Sequence, residues 1–450
     1  MKIYRYLLYG SFWTVIFVLI HMYFPSSWSS VVKESIDTFL TDPLTYWWFV
    51  FPLIGLLMLL GFSLYYGIHF LASFGSGYNP KGEFDENISI LIASKNEKIL
   101  LERTLNSIVN SDYPKNKIQI IVITSGSTDD TTDFSNNFAR EHNDIEIKVL
   151  SKDLHKKGKP AALNYGLEHV NYDIIVLYDS GCILEKDTLT NLIAPFNQQK
   201  VDAVIGPVLV KNWNDNKLTK GIFLDYGIVS GGGLLFEVKN RLGSSAYSFG
   251  RNFAVRTKYL RKYGGFNEDS MTEDLYLSVL LNLDNVSIRF SPKARIYEYV
   301  PNKWEILVKQ RTRWLAGFIG DMPQLMTMKS EYKDGKKLII ARNMTMMVLA
   351  NMDTWIPIEI GFAIFQFFIG EYYLLIWTLS CLIFQFGFII NVIRKYCDKH
   401  YSLLLFFPIS GFIHLYMFLR QFKLPKEISW EKTPMLLERE EAEILALSNI

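Results

Sequence analysis

Two short clusters carry the side chains with the greatest chemical reach: Thr272-Glu273-Asp274, and further along Gln310-Arg311-Thr312-Arg313-Trp314. The second cluster falls in a stretch with helical spacing, and on a helix Gln310, Arg313 and Trp314 share one face because they stand three and four positions apart. That face presents an amide, a guanidinium and an indole to one ligand. An amide orients hydroxyls, a planar guanidinium matches phosphate oxygens, and an indole stacks on the apolar side of a sugar ring. The combination suits a phosphorylated sugar. Each cluster also has a plainer reading. Thr272, Glu273 and Asp274 could simply cap a helix from Leu275 to Leu281. The second cluster could lie on a membrane, with Trp304 and Trp314 at headgroup level and Lys309, Arg311 and Arg313 reaching to lipid phosphates.

The elements that must position these side chains begin at Ile88. Short β-branched runs alternate with amphipathic stretches: Ile88 to Ala93 then Leu101 to Val109, Ile118 to Ile123 then Thr131 to Arg140, Ile145 to Leu150 then Pro160 to Val170, and Ile174 to Tyr178. Such alternation calls for an α/β domain with a mostly parallel sheet covered on both faces, and ligands bind outside the carboxyl ends of such strands. The loops at those ends read Ser94-Lys95-Asn96-Glu97, Thr124-Ser125-Gly126-Ser127-Thr128-Asp129 and Asp179-Ser180-Gly181. Lys156, Lys157, Gly158 and Lys159 stand just before the helix that carries Ala162, Leu163 and Asn164.

The two ends of the chain are different in character. Leu7 to Phe24 and Tyr46 to Phe70 are apolar runs long enough to cross a hydrocarbon core, as are the later stretches Met344 to Gly370, Tyr372 to Ile393 and Tyr401 to Leu419. Lys2 and Arg5 precede the first run, whereas Pro25 to Thr45 is acid-rich, so the positive-inside rule puts the N-terminus and the central domain in the cytoplasm. Basic residues on both sides of Tyr401 to Leu419 favour a re-entrant hairpin broken at Pro408 and Gly411 over a crossing. The 450 residues hold 47 basic and 45 acidic side chains, a balance that leaves no electrostatic footprint for nucleic acid. Three cysteines, Cys182, Cys381 and Cys397, imply neither a disulfide framework nor a zinc site.

In order and spacing these segments resemble the membrane-embedded family 2 glycosyltransferases, the group of cellulose, hyaluronan and poly-N-acetylglucosamine synthases. The likeness covers most of the chain: the leading spans, Ser94 to Glu97, Gly126 to Asp129, Gly158-Lys159 to Asn164-Tyr165-Gly166-Leu167, Gly264-Gly265-Phe266, Thr272-Glu273-Asp274, Gln310 to Trp314, the closing helices and Trp430 to Pro434. The resemblance implies a GT-A-like cytoplasmic domain at 76–300, preceded by two membrane helices in 1–75. Interfacial helices would follow in 301–340, membrane helices in 341–422 and a cytoplasmic tail in 423–450. It implies that Asp274 is the general base taking the proton of the acceptor hydroxyl, kept ionised by the start of its helix. Ser94, Asn96, Glu97, Ser125, Lys159, Asp179, Gln310 and Arg313 would bind the nucleotide-sugar donor, and Thr272, Glu273 and Trp314 the acceptor. The expected activity is inverting sugar transfer to a growing polysaccharide that then crosses the membrane. A lipid acceptor, or a non-catalytic sugar-binding subunit of a synthase, are the alternatives.

Two positions depart from the family pattern. Relatives carry a second acid two positions after the residue matched by Asp179, for a bridging Mg2+ or Mn2+; here Gly181 stands there, with Glu185 and Asp187 the nearest substitutes in sequence. Thr124-Ser125 replaces an aspartate that reads uracil. Lys156, Lys157, Lys159 and Arg251 offer positive charge to a diphosphate instead. Asp353 and Glu359 fall in or beside an apolar run and are expected to line a conduit for a hydroxyl-rich chain, the alternative being that Asp353 lies on an interfacial helix before the span begins.

Overall fold

A computed structural model describes residues 37–38, 40–42, 61, 64–75, 86–327 apart from Lys157 and Gln199, and 352–420 apart from Ile369 and Glu371. The first expected span, most of the second, Lys157, and the tail with Trp430 to Pro434 lie outside the described residues.

The order of elements begins β1 (Ile88–Ala93), α1 (Lys98–Val109), β2 (Ile118–Ile123), α2 (Thr131–Glu141), β3 (Glu146–Leu150), α3 (Lys159–Leu167) and β4 (Ile174–Asp179). It continues with β5 (Ile183–Leu184), α4 (Thr188–Ile193), β6 (Ala203–Ile205), β7 (Val208–Val210), α5 (Lys217–Asp225), a π-helical turn (Tyr226–Ser230) and α6 (Leu234–Arg241). Then come β8 (Phe253–Arg256), α7 (Thr257–Lys262), α8 (Glu273–Leu283), β9 (Ile288–Phe290), β10 (Ile296–Glu298) and α9 (Trp304–Thr327). The last elements are α10 (Met352–Phe368), α11 (Tyr372–Tyr396), a 3-10 turn (Tyr401–Phe406) and α12 (Phe407–Arg420).

Among the described residues a seven-stranded sheet has the order β3-β2-β1-β4-β8-β6-β9, and a three-stranded one the order β5-β10-β7. β1, β2, β3 and β4 run parallel, while β8 is antiparallel to both β4 and β6. Continuous aliphatic runs suit strands covered on both faces, and β2 is buried along its whole length. The register matters for the site. Ala93 pairs with Ile123 on one side and with Asp179 on the other, so the loops that follow β1, β2 and β4 leave the sheet side by side.

The chain divides into two compact units, residues 1–68 with 358–384, and residues 69–357 with 385–450. In the smaller, Thr378 donates to Gln366 Oε1 at 2.9 Å, and Glu359 is buried against Cys381 Sγ at 3.5 Å, while Phe362, Phe365, Phe368, Ile376 and Ile383 are exposed. Glu359 thus faces a neighbouring helix. In the larger unit α12 packs on α5 so closely that a Cβ at Gly221 would meet Ile409 Cγ2 at 2.6 Å.

α12 corrects the expected hairpin: it runs unbroken from Phe407 through Gly411, because Pro408 lies in the first turn, where a missing N–H costs nothing. The change of conformation comes one step earlier, where the 3-10 turn ends. Two helical stretches among the described residues are long and apolar enough to cross a membrane, Lys217–Arg241 and Leu375–Tyr396. The first is mostly buried inside the structure and carries Asp225 and Glu237 there.

Candidate active site

The floor of the site is built by the three loops that the sheet register aligns. Ser94 is buried, and its backbone N–H donates to Ile123 O at 2.9 Å, joining the β1 and β2 loops. Asn96 adopts a positive φ of 55°, from which its Oδ1 accepts the Thr128 backbone N–H at 2.8 Å and its Nδ2 donates to Thr128 Oγ1 at 3.3 Å. The Glu97 N–H donates to Thr131 Oγ1 at 3.0 Å. Asn96 and Glu97 therefore shape the loop wall. The hydroxyls of Ser94, Ser125 and Ser180 are buried without a hydrogen-bond partner.

Above this floor the α3 lysine gathers the acids. Lys159 Nζ stands 2.6 Å from Asp179 Oδ1 and 3.4 Å from Glu273 Oε1, and donates to Gly250 O at 3.3 Å. Burial alone would depress Lys159, but Asp179, Glu273 and Asp274 outweigh it and hold the ammonium above its usual range. Gly250, at φ 73°, lies so near that a Cβ there would meet Lys159 Nζ at 2.9 Å and Asp274 Oδ2 at 3.1 Å. The Asn164 amide fixes the approach of α3: it donates to Phe266 O at 2.9 Å and accepts the Phe266 N–H at 2.7 Å, which explains the Gly264-Gly265-Phe266 segment. A Cβ at Gly265 would come within 2.3 Å of Asn164 Oδ1.

Asp274 differs from its expected state. Burial, then the adjacent Glu273 carboxylate, push its carboxyl up to about 7, against the opposing pull of Lys159 and the Leu275 N–H. Desolvation wins over the helix start that was expected to keep it ionised. The capping reading also fails for Thr272, which occupies the N-cap of α8 without making a cap bond; its hydroxyl donates to Asp321 Oδ2 at 2.9 Å instead.

The helix expected around Gln310 is α9, and Gln310 is buried on it. Arg313 lies in the field of Glu273, Asp179 and Asp274, with burial lowering its pKa against their pull. Gly317 lets α9 touch the acidic loop: a Cβ there would meet Thr272 Cγ2 at 2.6 Å. One turn on, Asp321 accepts from Ser270 at 2.6 Å as well as from Thr272. Arg311 does not reach outward to lipid phosphates. It is buried, pairs with Asp225 at 2.6 Å and lies 4.5 Å above the half-buried Trp314 indole. Trp304 is likewise engaged, stacking on Phe412 at 5.5 Å between centroids.

Two of the proposed diphosphate cations are committed elsewhere. Arg251 is buried and paired with Glu298 at 2.5 Å, and Lys156 lies 2.9 Å from Asp269. Sequence reasoning missed Asp225, Glu298 and Asp321, whose partners are distant in the chain.

A family model described as glycosyltransferase-like family 2 matches residues 86–317, from the edge of β1 through Trp314 and Gly317. The chain belongs to that family.

Among its relatives are the probable glycosyltransferase YdaM of Bacillus subtilis, 32% identical over 51% of this chain and 54% of that one, and a beta-monoglucosyldiacylglycerol synthase of Nostoc, 28% identical over 58% and 56%. A poly-beta-1,6-N-acetyl-D-glucosamine synthase of Staphylococcus epidermidis is 28% identical over 52% and 54%. The chain spans about half the length of these curated relatives. A mannosyltransferase of Pyrobaculum calidifontis, solved with GDP-Man and Mn2+, shares the fold at a TM-score of 0.53 and 16% identity, over 81% of this chain and 96% of that one.

The donor set for a family 2 cation does not fit here. Asp179 is held by Lys159 at 2.6 Å, Gly181 brings no ligand, Glu185 accepts from Tyr297 at 2.9 Å, and Asp187 from Asn191 at 2.8 Å. Among the described residues no three acid, histidine or cysteine side chains are grouped to hold a metal ion. A carboxylate already paired with an ammonium is a weak site for a hard divalent ion.

Proposed function

We propose that this chain is an inverting glycosyltransferase that takes a sugar from a nucleotide-sugar donor in the cytoplasm and adds it to a growing glycan at the membrane. The observation that carries this reading is the meeting of Asp274, Lys159 and Asp179, with Arg313 in the same field. A carboxyl poised near 7 is matched to taking a proton at neutral pH. In the step proposed, the acceptor hydroxyl oxygen attacks the anomeric carbon as its proton passes to Asp274. The bond from that carbon to the diphosphate oxygen breaks, and the nucleotide leaves with the electron pair. Lys159 and Arg313 supply the positive charge that meets the developing diphosphate.

Ser94, Ser125 and Asp179 border the donor, with Asn96 and Glu97 holding the wall beside it and Gln310 facing it from α9. Trp314 offers its indole to the acceptor sugar, and Thr272 and Glu273 set the acceptor edge. The domain limits given above, two leading spans included, belong to this proposal, as does a multi-pass topology. Exposed phenylalanines and isoleucines on α10 and α11 support a lipid environment for those helices.

The acceptor has two readings. The relative named as a poly-beta-1,6-N-acetyl-D-glucosamine synthase favours polymer extension and translocation; the equally similar beta-monoglucosyldiacylglycerol synthase favours one sugar on one lipid. The test is to offer purified chain in nanodiscs a panel of uridine, guanosine and cytidine sugar nucleotides and to size the product. High-mass product supports the polymerising synthase, and a small organic-extractable product overturns polymerisation in favour of lipid transfer. Donor left intact across the panel overturns the enzyme reading and leaves a sugar-binding subunit.

A further inference from the structure

Asp225 closes α5 with none of its side-chain surface exposed, yet polar groups from three separate elements converge on it. Arg311 Nη2 from α9 stands 2.6 Å from Oδ2, His414 Nε2 from α12 stands 2.8 Å from Oδ1, and Ser230 Oγ from the π-helical turn donates to Oδ1 at 2.8 Å. Arg311 also donates from Nη1 to Ser230 at 2.9 Å. Its guanidinium carbon lies over Trp314, 4.5 Å from the ring centroid. We propose that His414, Asp225 and Arg311 form a buried positioning relay through which the closing helix α12 sets the pose of the Trp314 indole. The role given to Trp314 rests on the transferase reading above; the relay itself does not.

Three physical arguments favour positioning over bulk stability. A buried ion pair adds little over apolar packing of the same shape, but it fixes one rotation of a helix about its axis where apolar contacts accept several. With Arg311 locked on Asp225, Arg313, two positions on, turns toward the field of Glu273, Asp179 and Asp274. Secondly, a π-helical turn inside a helical stretch is rare and frequently marks a functional site. Here it is what brings Ser230, five positions on, back onto Asp225. Thirdly, the same turn begins a second buried chain toward the catalytic loop. Tyr226 donates to Glu298 at 2.7 Å, Glu298 accepts from Arg251 at 2.7 Å, and Arg251 adjoins Gly250, whose carbonyl holds Lys159. α12 thus contacts, through His414, the residue Asp225 that leads directly to Arg311 and whose chain neighbour Tyr226 begins the second chain.

The test uses the full chain in detergent, labelled with 5-fluorotryptophan, with the Trp314 resonance identified by its loss in Trp314→Phe. His414→Leu keeps the volume and removes the contact with Asp225, whereas His414→Gln keeps an N–H donor; Leu419→Ala is an exposed control on the same helix. The relay predicts that His414→Leu moves or broadens the Trp314 resonance, and that it lowers nucleotide release at saturating donor about tenfold with the donor KM within twofold. His414→Gln recovers most of both, and Leu419→Ala changes neither. An unmoved Trp314 resonance in His414→Leu overturns the relay, as does an equal effect of the leucine and glutamine variants. The fluorine signal is read whether or not sugar is transferred, so a failure of the transferase reading leaves the relay still tested.

Discussion

Lys159 and Asp179, on separate elements of the sheet's carboxyl edge, meet at 2.6 Å, and the same ammonium reaches Glu273 at 3.4 Å. Two carboxylates thus share one ammonium, where the family pattern has a second acid in place of Gly181. Charge for the leaving diphosphate then comes mainly from side chains. Lys159→Met is predicted to lower turnover by about 10²–10³, the scale of removing one preorganised charge-stabilising donor. Chelation of divalent ions is predicted to cost less than about tenfold. Nucleotide release measured with EDTA beside the variant checks both, and a chelator effect larger than that of Lys159→Met would count against this account.

In the proposed mechanism Asp274 sets the pH dependence. Its carboxyl must be ionised to take a proton, and burial with Glu273 beside it has moved it to about 7. kcat/KM is therefore predicted to rise with unit slope below that value and level off above it. A profile already flat from pH 5 would assign the base to another group.

The same shift has a stability consequence of defined sign. A folded-state pKa above the unfolded one favours the native state at low pH, and that contribution is lost as pH climbs from about 4 to about 7. Asp274→Asn removes the ionisation and is predicted to raise stability at pH 8 by about 1–3 kcal/mol. The gain should shrink toward zero near pH 4. Melting of the two proteins across that range is the measurement.

Gly317 and Gly320 separate fit from helix propensity. A Cβ at Gly317 meets Thr272 Cγ2 at 2.6 Å, whereas one at Gly320 meets nothing within 4 Å. Gly320→Ala is predicted to stabilise by roughly 0.5–1 kcal/mol with unchanged transfer. Gly317→Ala gains the same propensity but pushes Thr272 off Asp321, so transfer should fall about tenfold or more. Thermal melts and turnover of the pair check this.

How far the sequence revealed all this follows from what each signal requires. β1 to β4 are long β-branched runs, visible by composition alone, and the spacing of Gln310, Arg313 and Trp314 marks α9 as a helix. β6, β7, β9 and β10 have three residues each, too few for any periodicity to register. Pro408 and Gly411 looked like a break because the place where α12 begins could not be read. The state of Asp274 was missed for a related reason: a helix start is local and legible, whereas desolvation depends on how α3, the Gly250 loop and α9 close over it. The membrane alternative, with Arg311 turned outward, stays open in the sequence because its partner, Asp225, is far away in the chain.

The most direct measurement of the central claim is nucleotide release from the donor panel by wild type and Asp274→Asn, side by side in nanodiscs at pH 8. With Asp274 as the base, one sugar nucleotide is consumed by the wild type and release falls about 10²–10⁴-fold in the variant while the donor still binds. Equal release from the two proteins would contradict the assignment and with it the mechanism built on that carboxylate.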